Sequence, residues 1–231
     1  IRQGQSVALV GRSGAGKTSL VKLLLRFYDP DKGSVFIDGT DIKKFTKSQL
    51  RENFGVVPQE PVLFNNSILY NIKYGNSNAS KQEVEAAAKI ANIHDFINHL
   101  PERYDTQVGE RGIKISGGQK QRLAIARMIL SDPEIIIFDE ATSQLDSESE
   151  KLIQEAFWKA AYGKTVMIIA HRLSTVKAAD RIIVLDKGKI LEEGNHAGLL
   201  RQGGHYAMLY NTYFRHQSLA YIEQVKDLVE K

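Results

Sequence analysis

A short apolar run at residues 6–10 ends in a glycine-rich turn and gives way to an apolar-periodic stretch over 17–27. The change of period predicts strand, loop, helix. Residues 34–37 and 54–57 predict further strands, bounded by Gly and Pro. From residue 80 to about 98 the pattern turns helical, and it opens with Ser80 and Glu83 at capping-box spacing. Continued to about residue 130, this stretch predicts a helical lobe. Strand patterning returns at 135–138 and 165–170, around a helix over 147–161 whose start has Ser147 and Glu150 at capping-box spacing. Residues 181–186 and 189–192 flank Lys187-Gly188 as a hairpin. Buried strands without alternation, separated by helices, predict a largely parallel sheet covered on both faces.

The expected organisation is an α/β core from residues 1–79 and 131–205, with an inserted helical subdomain at 80–130. A C-terminal helical extension at 206–231 places Leu219, Ile222, Val225 and Val229 near one face, the pattern of a packing or linker helix.

Composition narrows the chemistry. A chain of 231 residues buries a sizeable core unaided. It contains no cysteine, which removes disulfides, thiolate metal sites and cysteine nucleophiles. The formal charge of +4 includes no basic run of nucleic-acid-tail length, so no nucleic-acid partner is expected. The apolar runs at 135–138 and 166–170 fall far short of the roughly 20 residues of a membrane span, so a soluble domain is expected. The chain opens at Ile1 without an initiator Met or a secretory n-region. That start suggests a fragment of a longer polypeptide, although N-terminal processing would look the same.

Candidate chemistry begins after the first strand. Gly11-Arg12-Ser13-Gly14-Ala15-Gly16-Lys17-Thr18 matches the phosphate-loop pattern G-x-x-x-x-G-K-[ST]. Glycines let backbone N–H groups turn inward, and the following helix aims its positive end at an anion. Lys17 adds a compact cation for the β- and γ-phosphates, and the Thr18 hydroxyl suits Mg²⁺. Chance would produce the pattern in a chain this long with odds on the order of 1 %. At residues 135–140 four apolar residues precede Asp139 and Glu140. Two adjacent acids at the end of a buried strand need a compensating cation or hydrogen bonds. Asp139 would support Mg²⁺ directly or through water, and Glu140 would polarise an attacking water as general base. Taken alone, both could instead be capping or solvated loop acids.

Ser116-Gly117-Gly118-Gln119 precedes a helical run, with Ser116 and Gln119 at capping-box spacing. With Ile115 before it and Lys120-Gln121-Arg122 after it, this segment resembles the signature of ABC transporter ATPases, with Ile where Leu is usual. The resemblance covers almost the whole chain and implies a P-loop NTPase with a largely parallel sheet flanked by helices, a small antiparallel β portion and an inserted helical subdomain. It implies nucleotide binding by Gly11, Ser13, Gly14, Ala15, Gly16, Lys17, Thr18 and Ser19, with Mg²⁺ held by Thr18, Gln59 and Asp139. Gln59 sits at the Q-loop position, and Asp146 in Ser143-Gln144-Leu145-Asp146 looks like the D-loop aspartate, with Gln where Ala is more usual. His171 matches the switch histidine, giving Glu140, His171 and Gln59 as the catalytic set. His94, His99, His196, His205 and His216 match no motif and are expected to be structural or solvated.

Residues 106–112, Thr-Gln-Val-Gly-Glu-Arg-Gly, resemble the segment that contacts membrane domains in exporter-type members. The family implies ATP and Mg²⁺ as ligands and a head-to-tail dimer in which Ser116, Gly117, Gly118 and Gln119 close on the partner's nucleotide. It further implies transmembrane domains N-terminal in the same polypeptide and a place on the cytoplasmic face of a membrane. Relatives usually carry an aromatic residue upstream of the phosphate loop that stacks on adenine. None of the ten residues before Gly11 is aromatic, so this element is expected upstream of Ile1. A soluble ABC ATPase acting on ribosomes or DNA is the alternative, and no Asn-Lys-x-Asp base-reading motif supports a GTPase.

Overall fold

The computed structural model describes residues 1–109, 113–139, 146–170 and 172–214. In chain order the elements begin with β1 (Ser6–Val10), α1 (Lys17–Leu24), β2 (Phe36–Ile37), β3 (Thr40–Asp41), α2 (Lys47–Glu52) and β4 (Phe54–Val57). Next come β5 (Asn66–Ser67), α3 (Ile68–Lys73), α4 (Lys81–Ile90), α5 (His94–Asn98), β6 (Gln107–Val108) and α6 (Gly117–Ser131). The chain continues through β7 (Ile135–Asp139), α7 (Ser147–Ala161), β8 (Thr165–Ile169) and α8 (Leu173–Ala178). It closes with β9 (Arg181–Asp186), β10 (Lys189–Gly194), α9 (His196–Gln202) and α10 (His205–Leu209). Two compact units emerge, Ile1–Leu50 with Met167–Lys231, and Arg51–Val166. Among the described residues no helix is long and apolar enough to cross a membrane.

In the first unit β1 is buried along its whole length and pairs parallel with β9, Val10 lying opposite Val184. The N–H of Ala170, just past β8, donates to the Leu9 carbonyl (3.2 Å). Asp180 pins the start of β1, its Oδ2 accepting from both the N–H (2.8 Å) and the hydroxyl (2.7 Å) of Ser6. β10 returns antiparallel on β9 through Lys187-Gly188, both at positive φ, as the hairpin pattern predicts. The strand expected over 34–37 shrinks to β2, which pairs with β3 across Asp38-Gly39. Both turn residues have positive φ (47° and 75°), so a two-residue Asp-Gly turn fixes the register.

The helix expected to reach residue 27 stops at Leu24. Arg26 adopts φ 52°, its N–H donates to Leu23 O, and the Phe27 N–H reaches back to Lys22 O (2.9 Å). These bonds form a Schellman stop, in which glycine is the usual left-handed residue. Arginine holds the position because its guanidinium donates to the Phe45 carbonyl (2.9 Å) and pairs with Asp29 (2.9 Å).

In the second unit β4 pairs parallel with β7, Val57 opposite Phe138. Phe138 stacks on Phe157 of α7 with centroids 4.1 Å apart, which seats α7 against β7. The helical stretch expected from residue 80 divides into α4 and α5 at Asn92, which takes φ 53°. Ser80 and Glu83 form the expected capping box. At α7 the cap is Asp146 rather than Ser147, its Oδ1 accepting from the Ser149 N–H (2.8 Å). The carboxylate is the better anion for a helix start, and the Ser147 spacing was one residue out of phase.

Of the unassigned histidines that are described, His99 and His205 are exposed, whereas His94 and His196 bond within the fold. His94 bonds the Tyr104 hydroxyl (2.8 Å), and His196 bonds the fully buried Tyr206 hydroxyl (2.6 Å). Burial, then the charge of Lys177, holds the His196 imidazole below its usual titration range. Such a group resists protonation when folded but takes up a proton when unfolded, so its contribution is intact above about pH 6.5 and erodes as pH falls below it. His196→Asn should therefore lose less thermal stability between pH 7.5 and 5.5 than the parent, as read by calorimetry. An equal loss would remove His196 as a source of acid sensitivity.

Candidate functional site

The loop after β1 is shaped by two close approaches inside the first unit and by two left-handed glycines. A Cβ at Gly11 would sit 2.3 Å from the Leu185 carbonyl oxygen of β9. Gly14 and Gly16 take φ 79° and 104°, conformations that cost non-glycine residues about 1–2 kcal/mol. The Gly188 N–H donates to Ala15 O (2.9 Å), tying the loop to the β9–β10 turn. That tie was invisible in the sequence, where Lys187-Gly188 reads only as a hairpin.

The side chain of Lys17 arches back over this loop, its Nζ donating to Gly11 O (2.7 Å) and Arg12 O (3.1 Å). The residue is only 7 % exposed, so its ammonium is held by carbonyls rather than by bulk water. No side chain caps the start of α1, and its first turn carries no acid. The partial positive end of the helix dipole, about half a charge, therefore faces the loop with no acid from the helix's own first turn. Arg12, Ser13, Gly14, Thr18 and Ser19 are exposed on the open side. Backbone donors, a buried cation and an uncapped helix end fit a polyphosphate.

In the second unit, parallel pairing brings two predicted residues to one strand edge. Gln59 follows β4 by two residues and is exposed, and Asp139 is the last residue of β7. Pro58 O accepts from Gln121 Nε2 of α6 (3.2 Å), which fixes the chain entering Gln59. An amide and a carboxylate are hard oxygen donors of the kind that share Mg²⁺ with phosphate oxygens. Among the described residues no three His, Cys, Asp or Glu side chains cluster as an all-protein metal cage would.

The start of α6 is also built as expected. The Gln119 N–H donates to Ser116 Oγ (3.3 Å), and the Ser116 N–H donates to Gln119 Oε1 (2.9 Å). Ser116 and Gly117 are exposed, whereas Gly118 is buried. Asp146 is exposed at the cap of α7, and the backbone N–H of Ser149 holds its carboxyl below the ordinary range. Asn92 escaped the motif pattern; it bonds α7 and accepts from Arg122, the last residue of the signature-like run on α6. The left-handed Asn between two helical stretches was the signal available. In the exporter-like segment, Gln107 and Val108 pair with Ser67 and Asn66. Glu140, Ser143, Gln144, Leu145, His171 and residues 110–112 and 215–231 lie outside the described residues.

The family model described as ABC transporter matches residues 1–143. ABC transporter B family member 2 of Dictyostelium discoideum is 55 % identical over 211 residues, covering 91 % of this chain and 15 % of that protein. An ATP-dependent lipid A-core flippase of Alkalilimnicola ehrlichii is 52 % identical over 215 residues, covering 93 % of this chain and 36 % of that protein. A solved bacterial Atm1-family ABC exporter with ATP bound superposes with TM-score 0.85 at 52 % identity, covering 91 % of this chain and 37 % of that one. The chain belongs to the ABC transporter family. It spans only 15 % to 37 % of the length of these relatives, whose names lend no support to a ribosome- or DNA-directed role.

The crowding at Gly11 makes a direct prediction. Gly11→Ala should lower unfolding stability by about 1–3 kcal/mol through overpacking against Leu185 O. Gly14→Ala, with open space around its Cβ, should lose only about 1 kcal/mol from backbone strain. Urea unfolding of the two variants checks the order, and a reversal would contradict the close approach to β9.

Proposed function

We propose that this domain hydrolyses Mg-ATP and, by closing head-to-tail on a second such domain, drives export of a substrate across a membrane. The observation that carries the reading is the phosphate loop: a nearly buried Lys17 ammonium above an uncapped helix start. Similarity to an ATP-bound exporter supports it. Gly11, Ser13, Gly14, Ala15, Gly16, Lys17, Thr18 and Ser19 hold the nucleotide phosphates, and Lys17 exchanges its loop carbonyls for phosphate oxygens. Thr18, Gln59 and Asp139 hold Mg²⁺, which when bound neutralises charge on the β- and γ-phosphates.

Glu140 accepts the proton of the attacking water as general base, a role worth about 10²- to 10⁴-fold in rate. His171 orients the γ-phosphate, and Gln59 links its position to the attached membrane domains. In the closed pair, Ser116, Gly117, Gly118 and Gln119 present backbone and hydroxyl donors to the partner's nucleotide, with Asp146 at the same interface. ATP binding stabilises the closed pair and hydrolysis releases it, which moves transmembrane domains joined to this chain, N-terminally in the same polypeptide. The domain then works at the cytoplasmic face of the membrane.

Glu140→Gln should reduce turnover by about 10²-fold or more while accumulating an ATP-bound dimer in Mg²⁺, measured by phosphate release and light scattering. Near-parental turnover in this variant would remove Glu140 from the role of base. Lys17→Ala should instead weaken ATP binding itself by about tenfold or more, the effect of losing a charged hydrogen-bond donor. Titration calorimetry reads that loss, and unchanged affinity would exclude the phosphate-loop assignment.

A further inference from the structure

Asn92 and Arg122 form a hydrogen-bonded node inside the second unit that the ATPase reading leaves unused. Arg122 belongs to the second turn of α6 and is only 8 % exposed. Its Nη1 donates to the Asn92 carbonyl (2.5 Å), and its Nε lies 3.4 Å from Gly118 O in the first turn of the same helix. Asn92 follows α4 in the left-handed conformation, φ 53°. That turn lets its carbonyl face α6 while its side-chain Nδ2 donates to Leu152 O of α7 (3.1 Å). A single residue thus bonds both helices, one through its backbone and the other through its amide.

The ends that matter are close along each helix. Arg122 is six residues from Ser116, the cap of α6, and Leu152 is six residues from Asp146, the cap of α7. Burial holds the Arg122 guanidinium below its ordinary range, and the carboxylates of Asp146 and Glu148 partly oppose that by favouring its charged form. Losing the bond to the Asn92 carbonyl would leave a buried cation short of a partner.

We propose that Asn92 and Arg122 are positioning residues: through them the amino-terminal ends of α6 and α7 keep a fixed mutual setting, so that Ser116–Gln119 and Asp146 meet a second copy of the domain together. The proposal rests on the ATP-driven dimer reading. Neither residue touches nucleotide. Their work is done before the partner arrives, by sparing the interface the entropy of ordering two helix ends separately.

Two variants separate this from a general packing role. Asn92→Gly keeps the left-handed backbone and the carbonyl but deletes the amide link to Leu152. Arg122→Lys keeps the charge but replaces the planar fork with a point donor. In the Glu140→Gln chain each substitution should weaken ATP-driven dimerisation by about tenfold, with ATP affinity changed by less than about twofold. If both act through one node, the double variant should dimerise no more weakly than the worse single. Hydrogen exchange in the ATP-bound monomer should show the amides of 119–120 and 149–150, which are bonded to the two caps, losing protection together in Asn92→Gly.

Effects that multiply, unaltered dimerisation, parallel loss of ATP binding, or exchange that rises at only one helix end would each overturn the proposal. A Glu140→Gln chain that fails to dimerise would instead count against the ATPase-dimer reading, and the exchange measurement would still decide the node.

Discussion

An ammonium held almost out of water must be surrounded by oxygen, and the loop after β1 is folded to meet that need. Lys17 donates to the Gly11 and Arg12 carbonyls, while the start of α1 carries no side-chain cap. The loop can take this path only because Gly11 passes against Leu185 O and Gly16 turns left-handed. The positions of β1, β9 and the Lys187-Gly188 turn all follow from holding this loop in place.

The two units use one device in different forms. In each, parallel strands end in polar loops at their carboxyl edges, the place where open α/β sheets bind ligands. In the first unit the edge carries a phosphate loop built largely from backbone. In the second it carries side chains, Gln59 and Asp139, with the start of α6 tethered through Gln121 to Pro58. The tether matters because the residue before Gln59 is thereby fixed to the helix that carries the signature segment. A shift at either one loads the other.

Much of this was legible from residue order. The strands at 6–10 and 54–57, the helix at 147–161, and the capping boxes at Ser80 and Ser116 fall where local pattern places them, because each rests on short-range chemistry. What escaped the pattern has long-range causes. The early stop of α1 depends on Arg26, whose strained backbone is held by carbonyls near residue 45. The cap of α7 falls on Asp146, whose carboxylate accepts from the Ser149 N–H and sits at the positive end of the helix dipole. Asn92 reads as one more helical position until its two partners, 30 and 60 residues further on, are brought beside it. The phosphate loop was recognisable as a pattern of types, but its attachment to Gly188 depends on two segments meeting in space.

The Schellman stop at Arg26 carries a further implication for how the phosphate-loop helix behaves under load. A glycine there would end the helix by local preference alone, leaving its last turn free to fray independently. Arginine instead fastens the end to the segment around residues 42–45 and to Asp29. A force applied along α1 from its phosphate end would therefore reach the small β2–β3 hairpin as a rigid displacement instead of being absorbed by unwinding. The helix acts as a strut with a clamped foot.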